Sequence, residues 1–257
     1  MSPNRTHRLN LFLLGAALVL LTGCAGLTPR DARTQDPIAT LLAARVTSIN
    51  PGLQTFKGTA RVTLADENTS QRFKIAWAAF LPDKIRLTIL KSGLPLETIL
   101  ADGTQVFFVS HTGEHSPHRI KDPNPSLKRV ISMPVRIQEI ISLLAGRIPM
   151  EPFDSAMLST DGPSSETTLV LARKWRGTVG TVQVDQKNQI LGFQRLNNNR
   201  DPIYSTERRD LKSYGSHTIP MKTVINDSSG RTLTLEITSF YPDVPVKESV
   251  FSLTEIE

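Results

Sequence analysis

The chain has 257 residues, with 30 Lys and Arg against 24 Asp and Glu, and a single cysteine. One cysteine excludes an intrachain disulfide, so burial and backbone pairing must hold the fold. The length suits one medium domain with a real core. The mild basic excess gathers in clusters such as Arg173-Lys174-x-Arg176 and Arg208-Arg209-x-x-Lys212, which read as solvated faces able to meet anionic headgroups. No stacked-aromatic platform interleaves these charges, and no nucleic acid is expected as a partner.

The N-terminus carries the strongest signal. Arg5, His7 and Arg8 form a basic start, Leu11 to Leu21 run apolar without a charge, and Leu21-Thr22-Gly23-Cys24 closes the segment. The run is shorter than the roughly 20 residues that a spanning helix needs. Secretory signals end on small residues, and here the small residue is followed at once by the only thiol. This pattern resembles the lipobox of bacterial lipoproteins. The resemblance implies a signal peptide over residues 1–23, cut before Cys24, and membrane lipid as a partner through acyl groups on Cys24. Ala25, where aspartate would retain a lipoprotein at the inner membrane, resembles the sorting signal for an outer-membrane address facing the periplasm.

Residues 24–35 are polar and proline-interrupted and read as a flexible tether. A helix is expected next, capped by Asp36, with Pro37 in its first turn and Ile38, Leu41, Leu42 and Ile49 on one stripe. Pro51-Gly52 stops it. From Phe56 the period changes to two. Phe56, Gly58, Ala60, Val62 and Leu64 alternate with polar residues, as do Phe73, Ile75 and Trp77, and then Ile85, Leu87 and Ile89. Asp66-Glu67-Asn68, Pro82-Asp83, Ser92-Gly93 and Asp102-Gly103 supply turns. Residues 121–135 are rich in proline and polar groups. Ile137, Ile140, Ile141 and Leu144 then mark a second helix that ends at Gly146. Strands resume over 166–173, 178–184, 190–196, 203–213, 219–226 and 231–239.

About ten antiparallel strands with two inserted helices predict a mainly β domain over residues 36–257. A single curved sheet forms an incomplete barrel, with helices covering its concave face. Phe73, Ile75, Trp77, Ile85, Leu87 and Ile89, facing Ile137, Ile141 and Leu144, are the expected apolar cavity. An ordinary packed core is the alternative for each of these residues.

Several segments resemble the outer-membrane lipoprotein receptor LolB. They are the first helix, Phe56-x-Gly58, Phe73-x-Ile75-x-Trp77, Lys84-x-Arg86-x-Thr88-x-Leu90, Lys91-Ser92-Gly93-Leu94-Pro95, and Ser132-Met133-Pro134 with the helix after it. Ile219-Pro220 and Val250-Phe251 also resemble its carrier relative, LolA. The resemblance implies a half-barrel with a helical lid and a cavity for acyl chains. It implies lipoprotein clients received from a LolA-like periplasmic carrier, and a membrane-probing loop at Leu94 and Leu96. The sequence departs from the family pattern where the loop lacks an asparagine-proline start and at the histidine-bearing hairpin. A structural or assembly lipoprotein that binds a protein partner through the same fold is the alternative.

His111, Glu114, His115 and His118 fall within eight residues and invite a metal reading. Gly113 and Pro117 argue for an irregular solvated tip instead. There is no Gly-x-Ser-x-Gly elbow and no phosphate-cradling glycine loop. The sequence therefore predicts no enzyme, no catalytic residues, no metal and no cofactor. A monomer is expected.

Overall fold

The computed structural model describes residues 36–159 and 166–253. The expected signal, Cys24 and the tether lie outside these residues. Helix α1 spans Pro37–Thr47 and starts as expected, with the Asp36 carboxylate accepting the Ile38 N–H at 2.9 Å. Its buried stripe differs from the one expected. Ala39, Leu42, Ala43 and Val46 are buried where the helix packs on the strands Ser155–Ser159 and Glu166–Arg173, while Ile38 and Leu41 are 60% and 71% exposed. Counting only large side chains hid a stripe with ideal i, i+3, i+4, i+7 spacing, because half of it is alanine.

The strands are β1 (Thr55–Ala65), β2 (Ser70–Phe80), β3 (Lys84–Lys91), β4 (Leu94–Asp102), β5 (Val106–Ser110), β6 (His118–Ile120), β7 (Ser155–Ser159), β8 (Glu166–Arg173), β9 (Gly177–Asp185), β10 (Ile190–Leu196), β11 (Pro202–Tyr214), β12 (His217–Asp227) and β13 (Thr232–Pro242). All pairings are antiparallel, in the order β6-β5-β4-β3-β2-β1-β13-β12-β11-β10-β9-β8-β7. The ladder ends on β6 and β7 without closing, so the domain is an open half-barrel. Thirteen strands stand where about ten were expected. β5 reads Val-Phe-Phe-Val and is buried on both faces, which erases the alternation; β6 and β7 are short.

Register explains the sequence pattern. Gly58, Trp77, Leu87, Ile99 and Phe108 lie side by side across five strands, and Ala60, Ile75 and Ile89 form the adjacent row. Gly58 is required by close approach. A Cβ there would meet the Trp77 ring at 2.5 Å and the Ser239 carbonyl oxygen at 2.4 Å. The indole thus occupies the space over a bare backbone.

The concave face is covered by α2 (Lys128–Ile131) and α3 (Ile137–Leu144), while a 3-10 turn, Glu248–Phe251, packs on β3 and β4. Helix α3 buries Ile137, Ile140, Ile141 and Leu144, its expected stripe. Its end is fixed by side chains remote in sequence. The Asn50 amide donates to the carbonyls of Ala145 at 2.8 Å and Thr218 at 3.0 Å, and its oxygen accepts the Thr218 N–H at 2.9 Å. Arg208 donates to the Gly146 carbonyl at 2.8 Å. Burial lowers the Arg208 pKa to about 10, which still leaves it protonated at neutral pH. These bonds satisfy carbonyls that a helix end would otherwise orphan.

Candidate functional site: a lidded apolar cleft

Between the sheet and the 127–135 segment lies a cleft of about 850 Å³. Its apolar walls include Leu64, Phe73, Ile89, Leu96 and Phe108, and Val130 and Ile131 overhang it from α2. Arg72, Lys91 and Arg129 stand at its mouth with Glu97 and Glu114. Phe73, Ile89 and Ile131 also line a wholly apolar throat that continues inward between Val62, Ile75, Leu87, Ile99, Leu233 and Leu235. The throat holds only about 40 Å³, because Leu127, Ile131 and Ile140 fill it from the helical side. That is room for roughly one water molecule.

The lid is pinched at its base and lightly held elsewhere. The Leu127 N–H donates to the Val135 carbonyl at 2.8 Å, and Ser126 bridges Arg136. Met133 and Val135 are buried. Helix α2 has no side-chain cap and no buried residue, and Arg231 donates to the Ser132 carbonyl at 3.0 Å from the β12–β13 turn. A four-residue helix without a cap has little stability of its own.

Of the expected cavity residues, Phe73, Ile75, Leu87 and Ile89 line the throat. Trp77, Ile85, Ile137, Ile141 and Leu144 lie deeper, in the packed core. Leu94 is the first residue of β4, not part of a loop, and the two-residue turn Ser92-Gly93 precedes it. It is 69% exposed, opposite Lys91 of the cleft mouth. A bulge follows, since Leu90 pairs Pro95 while Ile89 pairs Glu97, and Leu96 joins the cleft wall.

The histidines fasten the hairpin between β5 and β6 to this wall. His111 Nε2 lies 2.8 Å from Thr98 Oγ1, and the His118 ring stacks on Phe108 at 4.9 Å. His115 directs Nδ1 to the Ser116 carbonyl at 3.0 Å and Nε2 to Glu97 Oε2 at 2.9 Å. With an acceptor at each nitrogen the imidazolium is favoured. The Ser116 carbonyl and then Glu97 hold the His115 pKa above its ordinary value. Among the described residues no group of three or more His, Cys, Asp or Glu is placed to hold a metal ion.

Three features escaped sequence reasoning. One is Asn50. Another is a buried charge pair, Glu139 on α3 with Arg195 on β10. Burial raises the Glu139 pKa, with Arg195 pulling it back. The third is Trp175, 93% exposed at the tip of the β8–β9 hairpin and flanked by the cations of the first basic cluster.

No family model matches the chain, and no curated protein matches it. Solved structures do. A LolA superfamily protein from Nitrosomonas europaea superposes with a TM-score of 0.60 at 13% identity, over 83% of this chain and 97% of that one. A DUF1329 family protein from Desulfovibrio piger gives 0.59 at 9% identity, over 86% and 98%. A domain assigned to outer membrane lipoprotein sorting, from Vibrio parahaemolyticus, gives 0.50 at 10% identity, over 83% and 96%. The chain therefore has the LolA/LolB-like fold, an open antiparallel half-barrel with helices on its concave face.

Proposed function

We propose that this chain is an outer-membrane lipoprotein whose cleft accepts the acyl chains of lipoprotein clients and helps insert them in that membrane. The carrying observation is the continuity between an open, partly charged mouth and a purely apolar throat plugged only by Leu127, Ile131 and Ile140. Swinging α2 outward would withdraw Ile131 and widen that throat without breaking the sheet, because Ser126 and Arg136 hold the base of the lid. The mouth's cations suit the polar end of a client. The lipobox-like Leu21–Cys24 segment supports the address. Leu94, solvent-exposed beside the mouth, supports the role that the LolB resemblance gives it at a membrane surface.

The purified protein should take up a fluorescent sixteen-carbon acyl probe saturably, one per chain, and release it to excess unlabelled palmitate. Ile89→Trp, which fills the throat, should abolish uptake while the melting temperature stays within a few degrees. In cells, depletion should strand acylated lipoproteins on their periplasmic carrier. Absent uptake together with normal client sorting would favour the protein-binding scaffold instead.

A further inference from the structure

We infer that the tip of the β8–β9 hairpin, Arg173-Lys174-Trp175-Arg176, is a membrane contact in its own right, seating its indole among the headgroups of an anionic lipid surface. The inference does not depend on the cleft holding acyl chains. Of the large apolar side chains that the described residues leave exposed, Trp175 is the most exposed. An indole combines an apolar body with one N–H donor and concentrates at the boundary between lipid and water.

Folding does not explain a tryptophan here. The Arg176 N–H donates to the Arg173 carbonyl at 3.1 Å, closing a turn in which Trp175 takes φ +67°. Glycine or asparagine adopts that left-handed backbone at lower cost than a bulky side chain. The turn is also held in place. Asp154 Oδ2, ahead of β7, accepts the Lys174 N–H at 2.6 Å. The indole is therefore presented on a braced hairpin.

Charge selects the surface. Arg173, Lys174 and Arg176 surround the indole, with Lys174 Nζ 5.7 Å from its ring centre. The facing carboxylates are Asp154, engaged by backbone, and Glu151, which lies 3.6 Å from Arg176 and is already bound by Arg195. The tip keeps a positive excess around an apolar group, which suits phosphate headgroups. Strand alternation along the ladder also places the β8–β9 and β3–β4 tips at the same end of the strands. Trp175 and Leu94 thus stand on one rim.

The chain's two tryptophans make the test direct, since Trp77 is buried and Trp175 is not. Full-length protein purified from membranes would be reconstituted in vesicles of phosphatidylethanolamine, with or without phosphatidylglycerol, carrying brominated acyl chains. The Trp175 emission, isolated by difference against Trp175→Phe, should shift blue, be quenched by bromine and escape aqueous acrylamide when phosphatidylglycerol is present. Arg173→Gln and Lys174→Gln should each weaken this contact about fivefold. Trp175→Gly should leave the melting temperature unchanged or raised. An indole open to acrylamide and unquenched by bromine in anionic vesicles would overturn the inference. Equal quenching without phosphatidylglycerol would overturn its electrostatic half. A failed acyl uptake experiment would leave all these readouts standing.

Discussion

Arg195 Nη1 donates to Glu139 Oε1 at 2.5 Å with both side chains shut away from water, joining the sheet to the helix that roofs it. The carboxylate's other oxygen accepts the Arg136 N–H at 2.7 Å, so the same group closes the first turn of α3. The second arm of Arg195 reaches Glu151, which in turn faces Arg176. A line of alternating charge thus runs from the lid side of the molecule to the tip of the Trp175 hairpin.

Breaking this line should be costly. Glu139→Ala leaves Arg195 buried with one partner, and should destabilise the protein by about 3 kcal/mol in urea denaturation. Glu139→Gln keeps an acceptor for the Arg136 N–H and should cost less. Equal losses would mean that the acceptor for the Arg136 N–H contributes nothing and that the whole cost lies in the lost charge.

Gly58→Ala tests the close approach beneath Trp77. The added methyl has backbone on one side and the indole on the other, so relief requires the ring to move. A loss of about 1–3 kcal/mol is expected, together with a red shift of the buried tryptophan's emission. A neutral substitution with unchanged emission would refute the packing described.

The hairpin at the cleft mouth should loosen with rising pH. His115 has a folded pKa above its ordinary 6.5. Its contribution is therefore fully present below 6.5 and lost as pH rises through the raised value. Protection of the amides of residues 111–116, relative to their intrinsic exchange rates, should fall across that interval, and Glu97→Gln should move the midpoint down. An NMR titration placing His115 at or below 6.5 would rule this out.

Leu94→Glu should leave the melting temperature unchanged within about a degree, as expected for an exposed site. It should nevertheless abolish transfer of a bound acyl client to vesicles. Undiminished transfer would reduce Leu94 to an exposed residue without a membrane role.

The sheet was legible because Phe73, Ile75 and Trp77, like Ile85, Leu87 and Ile89, each alternate with wet residues on a half-exposed surface. Such alternation vanishes once both faces are covered, which is why β5 left no trace. The α1 stripe was misread because Ala39 and Ala43 carry as much geometric weight as leucine and far less hydropathy. Phe73, Ile75, Leu87 and Ile89 of the throat were legible for the same reason as the sheet. Which apolar residues line open space and which pack solid depends on the fit of Ile131 and Ile140 against them. Asn50 and the Glu139–Arg195 pair left no signal, since Asn50 binds residues 95 and 168 positions away and Arg195 binds carboxylates 44 and 56 positions away.

The filled throat bears on release as much as on uptake. Burial contributes roughly 0.8 kcal/mol per methylene, so a palmitoyl chain in a standing cavity would be held by roughly 12 kcal/mol and would leave slowly. Ile131, carried on the lid, would act as a tethered competitor that never diffuses away. Whatever free energy its reseating returns would be subtracted from the grip on an acyl chain. Under the proposed function, handing cargo to a bilayer is helped by a throat that is its own inhibitor.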